Sequence, residues 1–513
     1  MMKKLKFVRY LPTRIKLMKQ MKSIAKAEGA TAFMGPLFEK SKQTPLKKLK
    51  SGTNKIVVKT VHFGFQPMIM EKDVRVPVRD GVCLLVNVFR PEKEGRYPVV
   101  LSADVYGKDP FFYPGQTSTT PALSGIGGVS TSMYTPFESP DPGFWVPNDY
   151  VLVKMAMRGT SDSDGDIAPF FSDVEAQDYA DVINWAGTQP WSNGNVGTNG
   201  VSYLAVTQWQ VAQLNAKHHK AMIPWEGFND MYRDLVTHGG IPESLLVQFW
   251  SKIVTMKWPD KACEDVNAVL RAHPLYDEYW ESKAAVLSKI KVPMLVGASW
   301  STQGLHCRGS LEGFKQSSSE LKWLYIHGRK EWEHYYQREN LERQKRFFDY
   351  FLKERKDNGW IDTPRVMVDV RERFFDGHFR YENEWPIART QYTPLYLDAE
   401  TSSLNISPVV KESKASYNSK NKSAEKNGQA RFNITFDTET ELTGHMKLKL
   451  WVATDGSDDM DLFIGIRKFD KHGKEVCFPG LNHREGGPVT IGWLRVSHRE
   501  LDLNRSTPYQ PWL

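Results

Sequence analysis

From residue 97 to residue 354, continuous apolar runs alternate with stretches of helical period. "YPVVLSADVYG", "DYVLVKMAMRG", "GNVGTNGVS", "VPMLVGASW" and "LKWLYIHG" read as strands. "VEAQDYADVINWAG", "YLAVTQWQVAQLNA" and the segment through "ENLERQKRFFDYFLKE" read as helices. Apolar strands separated by helices predict an α/β domain, a parallel sheet covered on both faces. Ahead of them, "VRVPVRDGVCLLVNVFRP" predicts a hairpin about Asp80-Gly81. The stretch from about 225 to 290 is rich in Trp, Phe and Tyr at helical spacing and interrupts the alternation, as an inserted helical cap would. After Pro364 come "TPLYLD", "ARFNITFD", "HMKLKLWVAT", "MDLFIGIRKFD" and "VTIGWLRVSHRELD", short strands with no helices between them, the pattern of a β-sandwich. The Ser/Lys/Asn-rich residues 411–429 form a solvated loop within it. The expected organisation is an arm at 1–55, an α/β domain at 56–388 and a sandwich at 389–513.

Charge changes the picture at one end only. Fourteen of the lysines and arginines fall in residues 1–50, against Glu28 and Glu39. The net charge of +8 therefore belongs to the arm, and the body carries slightly more acid than base. "PTRIKLMKQMKSIAKAEG" puts Ile15, Met18, Met21 and Ile24 or Ala25 on one helical face, so the arm is expected to be partly helical. Such a helix can lie on an anionic membrane surface, nucleic acid being the less expected partner; the plain alternative is a solvated helix whose apolar stripe packs on the body. No apolar core follows the basic residues as in a signal peptide, and no run reaches the ~18 apolar residues that span a bilayer. Cys83, Cys263, Cys307 and Cys477 have no paired spacing, which argues against a disulfide framework and a zinc site. The expected location is the cytoplasm.

The chemistry centres on "GNVGTNGVSYLAV" at 194–206. A strand, a glycine-bearing turn and a helix are the setting in which a serine becomes an exposed nucleophile; an ordinary loop serine is the plain alternative. Gly200 lets the chain turn before Ser202, and the small Ala205 lets the helix approach the sheet. The Tyr203 N–H, at the helix N-terminus, can point at an oxyanion.

"QPWSNGNVGTNGVSYLAVTQWQVA" closely resembles the nucleophile region of the CocE/NonD hydrolases, which include cocaine esterases and X-prolyl dipeptidyl peptidases. "MRGTSDSDGDIAPF", "FFDYFLK" and "LRVSHRELDLNRSTPYQPW" extend the resemblance to the C-terminus. It implies an α/β-hydrolase fold with a helical cap and a C-terminal jelly roll. It also implies acyl transfer to water through Ser, His and Asp, with no cofactor or metal and a small ester or peptide as substrate. Tyr106, in "VVLSADVYGKDPF", matches the tyrosine that supplies a second oxyanion donor. For the base, Trp332-Glu333-His334 matches the end of the family's pattern, so His334 is preferred over His327, and His306 is read as structural. The acid is missing: its position holds Thr302 in "VGASWSTQGLH". Asp277 or Glu278 in the cap could substitute, and Thr302→Asp is expected to raise kcat/KM. The family's sandwich continues beyond "STPYQPWL", so this one is expected to be incomplete, with unpaired edges that favour pairing with a second copy. The expected function is a serine hydrolase of esterase or X-prolyl dipeptidyl-peptidase type. The alternative is a catalytically impaired hydrolase scaffold kept for binding.

Overall fold

The computed structural model describes residues 57–63, 66–110, 131–374, 376–421, 428–480 and 487–513. The basic arm, residues 1–55, therefore lies outside the described residues.

An eleven-stranded sheet organises the α/β domain. Its strands in chain order are β1 (Val57–Phe63), β2 (Gln66–Pro77), β3 (Cys83–Pro91), β4 (Tyr97–Asp104), β5 (Val151–Ala156) and β6 (Ser192–Val201), followed by β7 (His219–Trp225), β8 (Met294–Ser299), β9 (Lys322–His327), β10 (Val366–Arg373) and β11 (Asp376–Glu382). They lie side by side as β1-β2-β3-β5-β4-β6-β7-β8-β9-β10-β11. The run from β5 through β10 is parallel, and the outer strands are antiparallel. The expected hairpin is the β2–β3 pair, with Gly81 at φ +83° in its turn.

Every residue of β5 is buried, as a central parallel strand requires. Helix α1 (Asp173–Gly187) turns Ala176, Tyr179, Val182, Ile183 and Ala186 inward at helical spacing, with Asp173 and Glu175 in its first turn. It shares one core with α2 (Tyr203–Ala212). The opposite face is covered by α8 (Arg338–Leu352), through Leu341, Phe347, Phe348 and Leu352. The cap carries α3 (Leu246–Lys257), α4 (Val266–Ala272) and α5 (Glu278–Glu281). Helix α6 (Cys307–Gln316) follows β8, and α7 (Glu331–Tyr336) follows β9. Among the described residues, no helix is long and apolar enough to cross a membrane.

The C-terminal quarter is divided differently from the expected boundaries. One compact unit takes in Thr454–Arg499 together with the α/β domain, and a second comprises Glu384–Ala453 and Glu500–Leu513. In the first, Asp461–Ile466 pairs with Thr490–Arg495; in the second, Tyr396–Asp398 pairs with Ser403–Asn405. Of the expected strands, "ARFNITFD" contributes a single bridge at Asn433 and "HMKLKLWVAT" none. Leu448, Leu450 and Trp451 stand exposed along the latter. Alternating apolar residues suit a half-buried strand, but a strand forms only where a ladder partner exists.

Candidate active site

The site is built at the carboxyl ends of the parallel strands, where helices begin and backbone N–H groups face outward. Ser202 sits between β6 and α2 with φ 58° and ψ −118°, in the left-handed half of the map that non-glycine residues rarely enter. Its N–H donates to the carbonyls of both Trp225 and Glu226 (3.1 Å each), so the end of β7 braces the strained turn. Gly200, at φ +153°, has no room for a side chain: a Cβ there would lie 2.5 Å from Leu204 Cβ. Ala205 matters for a different neighbour than expected. It packs on Gly227, where an added Cβ would come within 2.6 Å of its own Cβ.

The imidazole beside the serine is His306. Its Nε2 lies 3.0 Å from Ser202 Oγ in a hydrogen bond. His306 precedes α6, its N–H donating to Thr302 O and its ring stacked on Phe228 at 5.8 Å and 11°. Only 1% exposed, it has its pKa lowered to about 3 by burial, so the ring stays neutral well below the usual histidine range. Its Nδ1 has no hydrogen-bond partner.

The preferred histidine is placed elsewhere. His334 lies buried on α7, its Nε2 2.6 Å from the Tyr325 hydroxyl and its ring 4.2 Å from His327. The six-residue helix packs its side chain between Tyr325 and His327 of β9 and near Trp225 of β7, and no hydrogen bond joins it to Ser202. His327, the last residue of β9, has Nε2 3.0 Å from Glu226 Oε1, off the line a hydrogen bond needs. Of the three histidines weighed, the structure places His306, read from the sequence as structural, against the Ser202 hydroxyl, and places His334 against Tyr325.

Thr302 does not flank His306 as an acid would. Its hydroxyl donates to Glu226 Oε2 at 3.0 Å. Asp277 caps α5 and pairs at 2.6 Å with His273 on the exposed cap; Glu278 is likewise exposed. The carboxyls that do surround the site were missed. Glu226 follows β7 at φ 53°, Glu331 opens α7 with Oε2 3.9 Å from His306 Nε2, and Glu138 precedes β5 at φ 59°. All three are buried, and each leaves one oxygen without a hydrogen-bond partner. Burial pushes the Glu226 pKa up to about 8; burial, then repulsion from Glu226, raises that of Glu331, and burial, then repulsion from Glu331, that of Glu138, both well above the carboxylate range.

Tyr106 and Tyr203 are brought together, rings 5.8 Å apart. Tyr203 begins α2, so its N–H is one of the helix's unpaired first donors, while its hydroxyl donates to the buried Glu175 at 2.7 Å. Tyr106 follows β4. Its N–H and that of Gly107 donate to Asp104 Oδ1 at 2.7 and 2.9 Å, and Asp104 is paired with Lys154 on β5 in a fully buried ion pair.

A mixed sheet with a parallel centre, and a strained serine between its middle strand and a helix with histidine on its hydroxyl, define an α/β-hydrolase. The family model for X-Pro dipeptidyl-peptidase (S15 family) matches residues 80–336, and that for the X-Pro dipeptidyl-peptidase C-terminal non-catalytic domain matches 358–511. A solved CocE/NonD family hydrolase from Staphylococcus aureus is 55% identical, with TM-score 0.83 over 90% of this chain and 82% of that one. The chain belongs to this CocE/NonD, S15-peptidase family of hydrolases. Cocaine esterase from Rhodococcus is 28% identical over 63% of this chain, which spans 62% of that relative's length. An α-amino acid ester hydrolase structure, 18% identical with TM-score 0.51 over 72% of this chain and 67% of that one, shares the fold.

Proposed function

We propose that the protein is a serine hydrolase that cleaves an acyl ester or a peptide bond through an acyl-enzyme. The observation that carries this reading is the 3.0 Å hydrogen bond between His306 Nε2 and the hydroxyl of a serine held on a strained turn. His306 takes the proton as Ser202 Oγ attacks the carbonyl, then delivers it to the leaving group; water repeats the sequence in reverse. The Tyr203 N–H and the Tyr106 hydroxyl receive the oxyanion. With Nδ1 unpartnered, Glu331, 3.9 Å from Nε2, is the carboxyl nearest the transient imidazolium. A fluorophosphonate probe should label the intact protein at Ser202, and Ser202→Ala should abolish both labelling and hydrolysis while the fold survives. No labelling, with no turnover of short acyl esters or Xaa-Pro amides, would leave the non-catalytic scaffold instead.

Between those substrate types, the three buried carboxyls with free oxygens favour one carrying an ammonium group, as an Xaa-Pro peptide does, because a cation beside them would draw these otherwise protonated acids into their ionised form. Comparing matched esters with and without an α-amino group tests this, with Glu331→Gln erasing the preference. The unpaired state of all four cysteines supports the cytoplasm as the compartment.

A further inference from the structure

The cap does more than cover the sheet. Helix α3 and the residue after it direct three donors into one short loop. Trp250 Nε1 donates to the Tyr106 hydroxyl at 3.0 Å, Lys257 Nζ to the Tyr106 carbonyl, and Trp258 Nε1 to the Val105 carbonyl at 2.8 Å. From below, Asp104 accepts the Tyr106 N–H. The tyrosine is thus held at its amide, its carbonyl and its phenol oxygen.

The contact at the phenol has a directional consequence. An indole N–H can only donate, so the Tyr106 oxygen must be the acceptor and its own hydrogen is turned elsewhere. Among the described residues none takes that hydrogen. A hydroxyl that accepts one hydrogen bond also becomes a stronger donor in the next. Burial, and then the neighbouring Glu138, hold the phenol pKa well above 10, so the proton stays on the oxygen.

We propose that Trp250 is a positioning residue: its indole N–H fixes the Tyr106 hydroxyl as a ready donor to the oxyanion at Ser202. The inference rests on Tyr106 being an oxyanion donor. The aromatic packing of Trp250 is separable from the donor. Its ring lies 4.6 Å from Phe170, 6.2 Å from Phe171 at 10°, and 5.9 Å from Tyr203, contacts a phenylalanine can largely keep.

The test is a double-mutant cycle on ester hydrolysis by the full chain. Tyr106→Phe should lower kcat by ~10²–10³, as for loss of one oxyanion donor. Trp250→Phe should lower kcat about tenfold, the worth of one neutral hydrogen bond, with KM nearly unchanged. In the Tyr106→Phe background the Trp250→Phe change should have no further effect on kcat. Should Trp250→Phe fold poorly, β-(3-benzothienyl)alanine at position 250 keeps the ring shape and removes only the N–H, with the same expected result. Equal losses from Trp250→Phe with and without the tyrosine hydroxyl would overturn the proposal, since a purely structural tryptophan acts additively. An unchanged kcat in Tyr106→Phe would remove both residues from the oxyanion site. Full activity in Ser202→Ala would instead overturn the assignment of Ser202 as the nucleophile, on which both roles rest.

Discussion

Two histidines compete for one role, and a pair of substitutions separates them. His306→Ala removes the imidazole bonded to Ser202; His334→Gln removes the one bonded to Tyr325. Loss of the base in a triad enzyme costs ~10⁶ in kcat, and adding a nucleophile mutation costs little more. His306→Ala should therefore be as inactive as Ser202→Ala, and the double variant no worse. His334→Gln disturbs the partner of a buried phenol, at a cost of ~1–3 kcal/mol in stability, and should keep kcat. The pH profile gives an independent reading. Moving the His306 pKa from 6.5 to about 3 corresponds to about 5 kcal/mol against the imidazolium. At pH 5 an ordinary imidazole would be only ~3% neutral, whereas His306 is almost wholly neutral. The acid limb of kcat/KM should therefore fall below pH 4. The assay is hydrolysis of an acid-stable ester from pH 3.5 to 8, with thermal melts of each variant. Inactive His334→Gln beside active His306→Ala, or an acid limb near pH 6.5, would refute the assignment.

Three further outcomes are expected. Gly227→Ala would drive a Cβ to 2.6 Å from Ala205 Cβ and 2.8 Å from its carbonyl carbon, pushing α2 off the strand ends; a loss of ~1–3 kcal/mol in urea melts should accompany a drop in kcat. Thr302→Asp would set a carboxylate against Glu226 at a site 2% exposed, so it should lower the melting temperature and leave kcat/KM no higher, contrary to what the sequence suggests. His219, His306 and His327, each lowered to about 3, stay neutral in the fold while the unfolded chain takes up protons below about 6.5, so each subtracts stability as pH falls through that window. Glu175 and Glu226, raised to about 8, subtract stability as pH rises above about 4.5. The opposing slopes should keep the urea midpoint flat between pH 6.5 and 5 and let it drop below 4.5; a steep fall already at pH 6 would contradict this.

The central sheet and Ser202 were legible because both are local. A run such as "VLVKMA" can be buried on two faces only as a central strand, and a glycine two residues before Ser202 marks a turn that no side chain could share. The base was not local. Which histidine reaches Ser202 depends on where the loops after β8 and β9 carry their side chains, and α7 folds His334 back onto the sheet. His306 offered one usable sign, its place between a buried parallel strand and a helix, where catalytic side chains gather. Glu226 was hidden in "IPWEGF" after β7, because a carboxyl was sought only after β8 and in the cap. Alternation in "HMKLKLWVAT" gave the character of a strand without its partner.

The buried pair of Asp104 and Lys154 constrains how this chain can change. Each residue neutralises the other where water cannot, and Asp104 also holds the loop that carries Tyr106. Losing either partner alone leaves an uncompensated charge in the core, at ~3–5 kcal/mol, comparable to the whole stability of many domains. An apolar pair of similar volume could serve the core as well, yet every single-step route to it passes through a variant near unfolding. A lineage that acquired this pair is thereby committed to it: the two codons are free to vary only together, and the path of the loop that carries Tyr106 inherits the same fixity.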